Sequence, residues 1–285
     1  MTIDVIIPAY NCCKTLGRTL ASLAAQTDDN FSVLVVDDCS SEDISFIIAQ
    51  YMNKLKNLRC LRTEENVGVG MARQFGIDHT SGEWITFVDA DDVLMPYAIE
   101  VFKVIIGNNP GMNMLHSSFL MQSIKDGKHE LLKIDNGFTW MHGKLYRRAF
   151  LDKYKIRNDP RFTMWADDSF FNSMCSELTP ITMNDLPMYV WTQTAGSITR
   201  KDADAGRKKM KVLIDAMYAA GLHTLRYKKD IGHLHNTIQN IMRLAAESEQ
   251  EVTEEEQAAF KKLADLYEEH GVKPAPQPRK RKFRK

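Results

Sequence analysis

The chain has 285 residues, 44% hydrophobic and 26% charged, and its 37 basic and 37 acidic side chains cancel. That composition suits a soluble globular protein of one large domain, or one domain with an appendage. It excludes a membrane-spanning chain, because no apolar run approaches the roughly 18 to 20 residues that a span needs. The opening "MTIDVIIPAYN" lacks the basic start of a secretory leader. The five cysteines, Cys12, Cys13, Cys39, Cys60 and Cys175, are odd in number and form no CxxC pair. Neither a disulfide framework nor a zinc site is expected, and a reducing cytoplasm is the expected compartment.

"DVIIPAY" predicts a short strand ended by Pro8, and Leu16, Leu20 and Leu23 follow at helical spacing. "FSVLVVDD" predicts a second strand ending in Asp37 and Asp38. "EDISFIIAQYMNKL" reads as a helix and "LRCLRTE" as a third strand. "NVGVGMARQFGIDHTSG" is a glycine-bearing turn that runs into a helix, where Gly68 and Gly70 suit a positive φ or a close approach. The fourth strand, Trp84 to Val88, leads directly into Asp89, Asp91 and Asp92. Near-continuous apolar strands alternating with helices predict a parallel sheet covered on both faces.

Ligands of such sheets bind outside the carboxyl ends of the strands. Pro8-Ala9-Tyr10-Asn11, Asp37-Asp38 and Asp89-Ala90-Asp91 all fall at those ends, so three loops converge on one crevice. Carboxylates gathered there repel one another, and a divalent cation relieves the repulsion. A helix N-cap is the competing reading, but one Asp satisfies a cap.

Beyond residue 100, "AIEVFKVII" predicts a helix and "MNMLHSSFLMQ" a strand. "IDNGFTWMHGKLYRRAFLDKYKI" runs from a loop into a helix. In "RFTMWADDSFFNSMCSEL" Asp167 and Asp168 open another helix, and "PMYVWTQ" is a further strand. From about Asp202 the pattern is helical. One stripe is Val212, Leu213, Ala216, Met217 and Ala220; a second is Leu234, Ile238, Ile241, Met242 and Ala245. Thr253 with Glu256 forms a capping box for a third helix that Gly271 ends. The tail "VKPAPQPRKRKFRK" is proline-rich and then basic, and is expected to be disordered.

"VIIPAYN", "VVDDCSSED", "NVGVGMARQFGI" and "WITFVDADD", in this order, resemble the nucleotide-sugar half of a family-2 glycosyltransferase. "WMHGKLYRRAFL", "RFTMWADDSFF" and "YVWTQTAGSIT" resemble the acceptor-side blocks of its bacterial members. The fold implied is α/β, a GT-A Rossmann-like, mostly parallel sheet with helices on both faces, followed by a C-terminal helical region. Residues 1–200 would be the transferase domain, with 1–100 the donor half and 101–200 the acceptor half. Residues 201–271 would be the helical region and 272–285 the basic tail.

The resemblance implies a nucleoside diphosphate sugar as donor, usually a uridine one. Its contacts would come from Pro8, Ala9, Tyr10, Asn11, Asp37, Asp38, Asn66, Gly68, Arg73, Asp89, Ala90 and Asp91. Tyr10 offers a flat face to the base, and Asn11 and Asp38 offer hydrogen-bonding groups, with Asp38 rather than Asp37 accepting from the base ring. Arg73 faces the diphosphate or an acid at the crevice edge. Asp91 would ligate Mn²⁺ or Mg²⁺, with Asp89 holding the metal through water or the ribose; Asp92 then caps the following helix.

Asp167 stands where the family has Glu, and Asp168 matches the catalytic base. Trp140, His142 and Trp165 would meet the acceptor, His142 alternatively the metal. Lys144 and Arg147 are read as surface charges or phosphate contacts. The expected activity is metal-dependent, inverting transfer to a hydroxyl of a cell-surface or lipid-linked glycan. The 279–285 cluster would then hold the protein at the inner membrane face, and the C-terminal helices offer an oligomer contact. Glycosylation of a modified base in viral DNA, with the same cluster on phosphates, is the alternative acceptor. A non-catalytic nucleotide-sugar or glycan-binding module is the rival from another class.

Overall fold

The structure, a computed structural model, describes residues 1–125, 128–135, 140–163, 165–192, 205–227 and 254–269. The first half alternates strand and helix as its apolar pattern dictates. β1 (Ile3–Ala9), β2 (Ser32–Asp37), β3 (Leu58–Arg62) and β4 (Trp84–Phe87) are separated by α1 (Leu16–Ala24), α2 (Ser45–Tyr51) and α3 (Val69–Asp78). All seven residues of β1 are buried, which suits a central parallel strand. Its side chains alternate between two cores. Ile3, Val5 and Ile7 join Leu16, Leu20 and Leu23 on one face. Ile6 joins Ala72 and Ile77 on the other.

The second half is more mixed than its sequence predicts. β5 (Val93–Leu94) and α4 (Ala98–Asn108) lead to a long hairpin of β6 (Met114–Lys125) and β7 (Lys128–Ile134). β8 (Lys144–Arg147) then precedes α5 (Arg148–Lys153), α6 (Trp165–Leu178) and β9 (Ile181–Thr192). The strand order is β3-β2-β1-β4-β8-β6-β9-β5, with β7 on β6. β4 pairs antiparallel with β8, β8 with β6, and β9 with β5. β5 follows β4 closely in sequence yet lies at the far end of this order, so the sheet curls back on itself. That curl brings β9 beside the carboxyl end of β4.

β7 and β8 were not expected. The four-residue "KLYR" strand is too short to carry an alternation signal, and it is held by partners on both sides. α7 (Ala205–Thr224) buries Leu213, Ala216, Met217 and Ala220 of the predicted stripe and half-buries its fifth residue, Val212; Ala216 and Ala220 join the core formed with α6. α8 (Glu254–Glu269) fills the third predicted helix. The stripe from Leu234 to Ala245, the cap Thr253 and the tail 272–285 lie outside the described residues. No described helix is long and apolar enough to cross a membrane.

Candidate active site

The crevice begins at the ends of β1 and β2. Tyr10 is 51% exposed, so its ring is available as a stacking face. Asn11 sits at φ 47°, and its Oδ1 accepts from Ser41 N, Ser41 Oγ and Glu42 N. Its carbonyl oxygen therefore organises the loop after β2. Asp37 is buried against Arg62 Nη1 at 2.5 Å and accepts from Ser40 N at 3.0 Å. Asp38 Oδ1 accepts from Val67 N and Thr63 Oγ1, and Oδ2 accepts from Gly68 N at 2.9 Å. This carboxylate thus braces the turn that starts α3, while Asn66 Nδ2 donates to the Asp38 carbonyl. Gly68 is at φ 82°, where a side chain would be strained.

α3 enters the site closely. A Cβ on Gly70 would lie 2.7 Å from Asp167 Oδ2, so glycine lets the helix approach α6. One turn further on, Arg73 is only 2% exposed and meets three carboxylates. Its Nη2 is 2.8 Å from Asp89 Oδ1, and its Nη1 is 2.5 Å from Asp168 Oδ1 and 3.4 Å from Asp167 Oδ2. The acid partner expected for Arg73 is present.

The charges here are strongly perturbed. Burial opposes ionisation of Asp89, but Arg73 and His142 outweigh it and hold the carboxyl well below its usual range. Burial, reinforced by Asp168, pushes Asp167 up to about 8. Burial also raises Asp168, against the pull of Arg73. Asp91 is raised by burial and by Asp89.

Asp92 does not cap a helix. The residue before α4 is Tyr97, whereas Asp92 Oδ2 accepts from Tyr189 Oη at 2.5 Å and Oδ1 from Thr192 N at 2.7 Å. Tyr189 Oη also accepts from Asp89 N at 3.1 Å. The strand-end turn is therefore fastened to β9. Burial, then Asp89 and Asp91, push the Asp92 carboxyl well above its usual range.

His142 Nε2 lies 3.7 Å from Asp89 Oδ2 and 3.8 Å from Asp92 Oδ2. Among the described residues Asp89, Asp92 and His142 form the group of donor atoms that could hold a metal, all within 4.8 Å of one another. Two crowded carboxylates and an imidazole spaced too far apart to bond each other are a donor set that could hold a divalent cation. Asp91 adjoins this group in sequence, and Asp89 is common to it and to the Asp91–Asp89 pair expected.

Four aromatic rings, Phe119, Trp140, Tyr189 and Trp191, lie against His142. Its ring stacks on Trp191 at 5.5 Å and 22°, and Trp140 lies 5.4 Å from Trp191. Trp191 and Tyr189 were not singled out in the sequence; the alternating aromatics of "MYVWT" were the available signal. Lys144, expected at the surface or on phosphate, is fully buried. Burial lowers its ammonium to about 7, with Asp168 opposing. Trp165 opens α6, and its side chain lies outside the described residues.

Residues 4–155, more than half of the chain, match the family model described as glycosyl transferase family 2. GlyG, a glycosyltransferase of Streptococcus pneumoniae, is 26% identical over 71% of this chain and 74% of its own length. The Staphylococcus aureus poly(ribitol-phosphate) beta-N-acetylglucosaminyltransferase TarS is 40% identical over 58% of this chain but only 32% of its own. An uncharacterised Haemophilus influenzae glycosyltransferase is 31% identical over 44% of this chain and 41% of its own. The chain thus spans less than half the length of two of these relatives.

Among solved structures, TarS 1–349 in complex with UDP-GlcNAc superposes with a TM-score of 0.74 at 22% identity, over 94% of this chain and 81% of that one. A Pyrobaculum calidifontis mannosyltransferase in complex with GDP-Man and Mn²⁺ gives 0.57 at 17% identity, over 95% and 83%. The sheet is that of a GT-A glycosyltransferase, and the chain belongs to glycosyl transferase family 2.

Proposed function

We propose that this protein transfers a sugar from a uridine diphosphate sugar to an acceptor hydroxyl with inversion at the anomeric carbon. The observation that carries the reading is the single guanidinium of Arg73, which ties Asp168 on α6 to Asp89 after β4 within one crevice. A carboxylate on the acceptor side and an acidic strand end on the donor side are the two parts a single displacement needs. The complex of TarS with UDP-GlcNAc supports a uridine donor.

Tyr10 stacks on the base, and the loops after β1 and β2 receive the nucleoside. Asp89, Asp92 and His142, beside Asp91, would hold Mn²⁺ or Mg²⁺; when bound, the ion neutralises charge on the diphosphate leaving group. Arg73 occupies Asp168 Oδ1, which leaves Oδ2 to take the acceptor proton. As the acceptor oxygen bonds to the anomeric carbon, its proton passes to Asp168 and the sugar–phosphate C–O bond breaks. The bonding electrons leave with the nucleoside diphosphate. With Asp168 as the base and the donor-side carboxylates Asp89 and Asp92 assigned to the cation, the reaction is a single displacement, and an α-linked donor yields a β-linked product. We take the acceptor to be a hydroxyl of a cell-surface or lipid-linked glycan.

Thermal melting with UDP-GlcNAc, other UDP-sugars and GDP-mannose, with and without Mn²⁺, tests the donor assignment. Metal-dependent stabilisation by a UDP-sugar, with slow release of UDP, is expected. A chain that no nucleotide sugar stabilises would overturn the reading.

A further inference from the structure

Lys144, the first residue of β8, carries an ammonium that the fold removes entirely from water. Nζ donates to the carbonyl of Trp140, four residues earlier. The same carbonyl accepts from Asn172 Nδ2 at 3.4 Å, and Asn172 Nδ2 also reaches the carbonyl of Asp168 at 2.9 Å. Asn172 is fixed in turn by Tyr146 Oη, which donates to its Oδ1 at 2.6 Å. The turn from Trp140 to Gly143 is thereby joined to α6 one helical turn from Asp168.

The other end of the turn is equally confined. Gly143 stands at φ 66°, a Cβ there would be 2.8 Å from the Ser117 carbonyl, and Ser117 N donates to the Gly143 carbonyl at 2.9 Å. Stability alone does not account for an ammonium in this place. A methionine has nearly the same length and needs no desolvation of charge, and apolar replacements of buried ions are often neutral or stabilising.

We propose that Lys144 is a positioning residue for the acceptor side of the site: through the Trp140 carbonyl that it shares with Asn172, it sets the Trp140–His142 turn at a fixed distance from Asp168. This rests on Asp168 being the base. It explains why a costly charge is placed behind the aromatic pair rather than in the crevice. Displacing such a turn by about 1 Å costs up to roughly 10²-fold in rate.

The test compares the full-length protein with Lys144→Met, Asn172→Leu and the double variant. Trp140 and Trp191, 5.4 Å apart and tilted by 55°, make a coupled indole pair whose circular dichroism reports their mutual geometry; Trp191→Phe identifies that band. Lys144→Met should melt at or above the wild-type temperature yet lose at least half of the band. With UDP-GlcNAc and methyl pyranosides as probe acceptors, it should lower transfer roughly 10-fold to 10²-fold, chiefly through acceptor KM. The two single variants should be non-additive, since they act on one carbonyl.

A wild-type band in a stable Lys144→Met protein would overturn the proposal and leave Lys144 a packing residue. If Lys144→Met does not fold, Lys144→Gln takes its place under the same criteria. Failure of the wild type to bind any UDP-sugar would overturn the functional reading instead, and the circular dichroism comparison would still decide the role of Lys144.

Discussion

Arg73 Nη1 lies 2.5 Å from Asp168 Oδ1, joining residues 95 apart in sequence inside a site where Arg73 is almost wholly buried. The same guanidinium also serves Asp89 and Asp167. Removing it strands three carboxylates in a desolvated crevice. Arg73→Met should therefore destabilise the fold by about 3 to 5 kcal/mol, the usual penalty for breaking a buried ion pair from one side. Urea unfolding measures this. Arg73→Lys should recover part of the stability but not the activity, because a point charge cannot bridge Asp89 and Asp168 as the planar fork does.

Asp168→Asn tests the base. It retains the shape of the side chain and removes its capacity to take a proton. Turnover should fall by roughly 10² to 10⁴ with donor affinity nearly intact. A variant that loses donor affinity while keeping its turnover number would make Asp168 a donor ligand.

The acidic strand end is tested through Asp91, whose carboxyl is pushed up by burial and by Asp89. Asp91→Ala, which removes a carboxylate beside the Asp89, Asp92 and His142 group, should lower transfer and weaken the Mn²⁺-dependent part of UDP-sugar binding, read by calorimetry. His142→Gln should weaken the same component without abolishing it, since Asp89 and Asp92 remain. Full activity in excess EDTA would exclude the metal reading.

His116 predicts a distinct acid sensitivity. It is fully buried on β6, its Nε2–H donates to the Asp135 carbonyl, and burial, helped by the Lys144 charge, pushes it down to about 3. The unfolded chain takes up this proton near pH 6.5, whereas the folded chain refuses it until about 3. The contribution to stability is thus complete above pH 6.5 and is lost as pH falls towards 3, by up to about 1.4 kcal/mol per pH unit. His223, also lowered, adds in the same sense. His116→Gln should flatten the decline between pH 6 and 4.5, a window above the titration of ordinary carboxylates. An unchanged slope would mean that His116 charges in the folded state.

The donor half was legible in the sequence because its determinants are local. Continuous apolar runs of four to seven residues can be buried only between two layers of helix, and β1, β2 and β4 are buried in that way. Acidic residues at the ends of those runs must then share one edge of a parallel sheet. Gly68 declared its turn, and Asp168 its helix start, by residue type alone.

What the tertiary structure decided are the pairings that no local period encodes. β8 is four residues long and exists because β4 and β6 flank it. Asp92 looked like a cap, yet it faces Tyr189 and Thr192 because the curl of the sheet brings β9 alongside. Lys144 carries a charge that a sequence assigns to solvent, and the setting of β8 between β4 and β6 buries it. A period of 2 or 3.6 specifies which face of an element is apolar; it holds no information on which distant polar groups will meet there. Those meetings depend on how the layers close, and at this site they push Asp89 down and Asp92, Asp167 and Asp168 up.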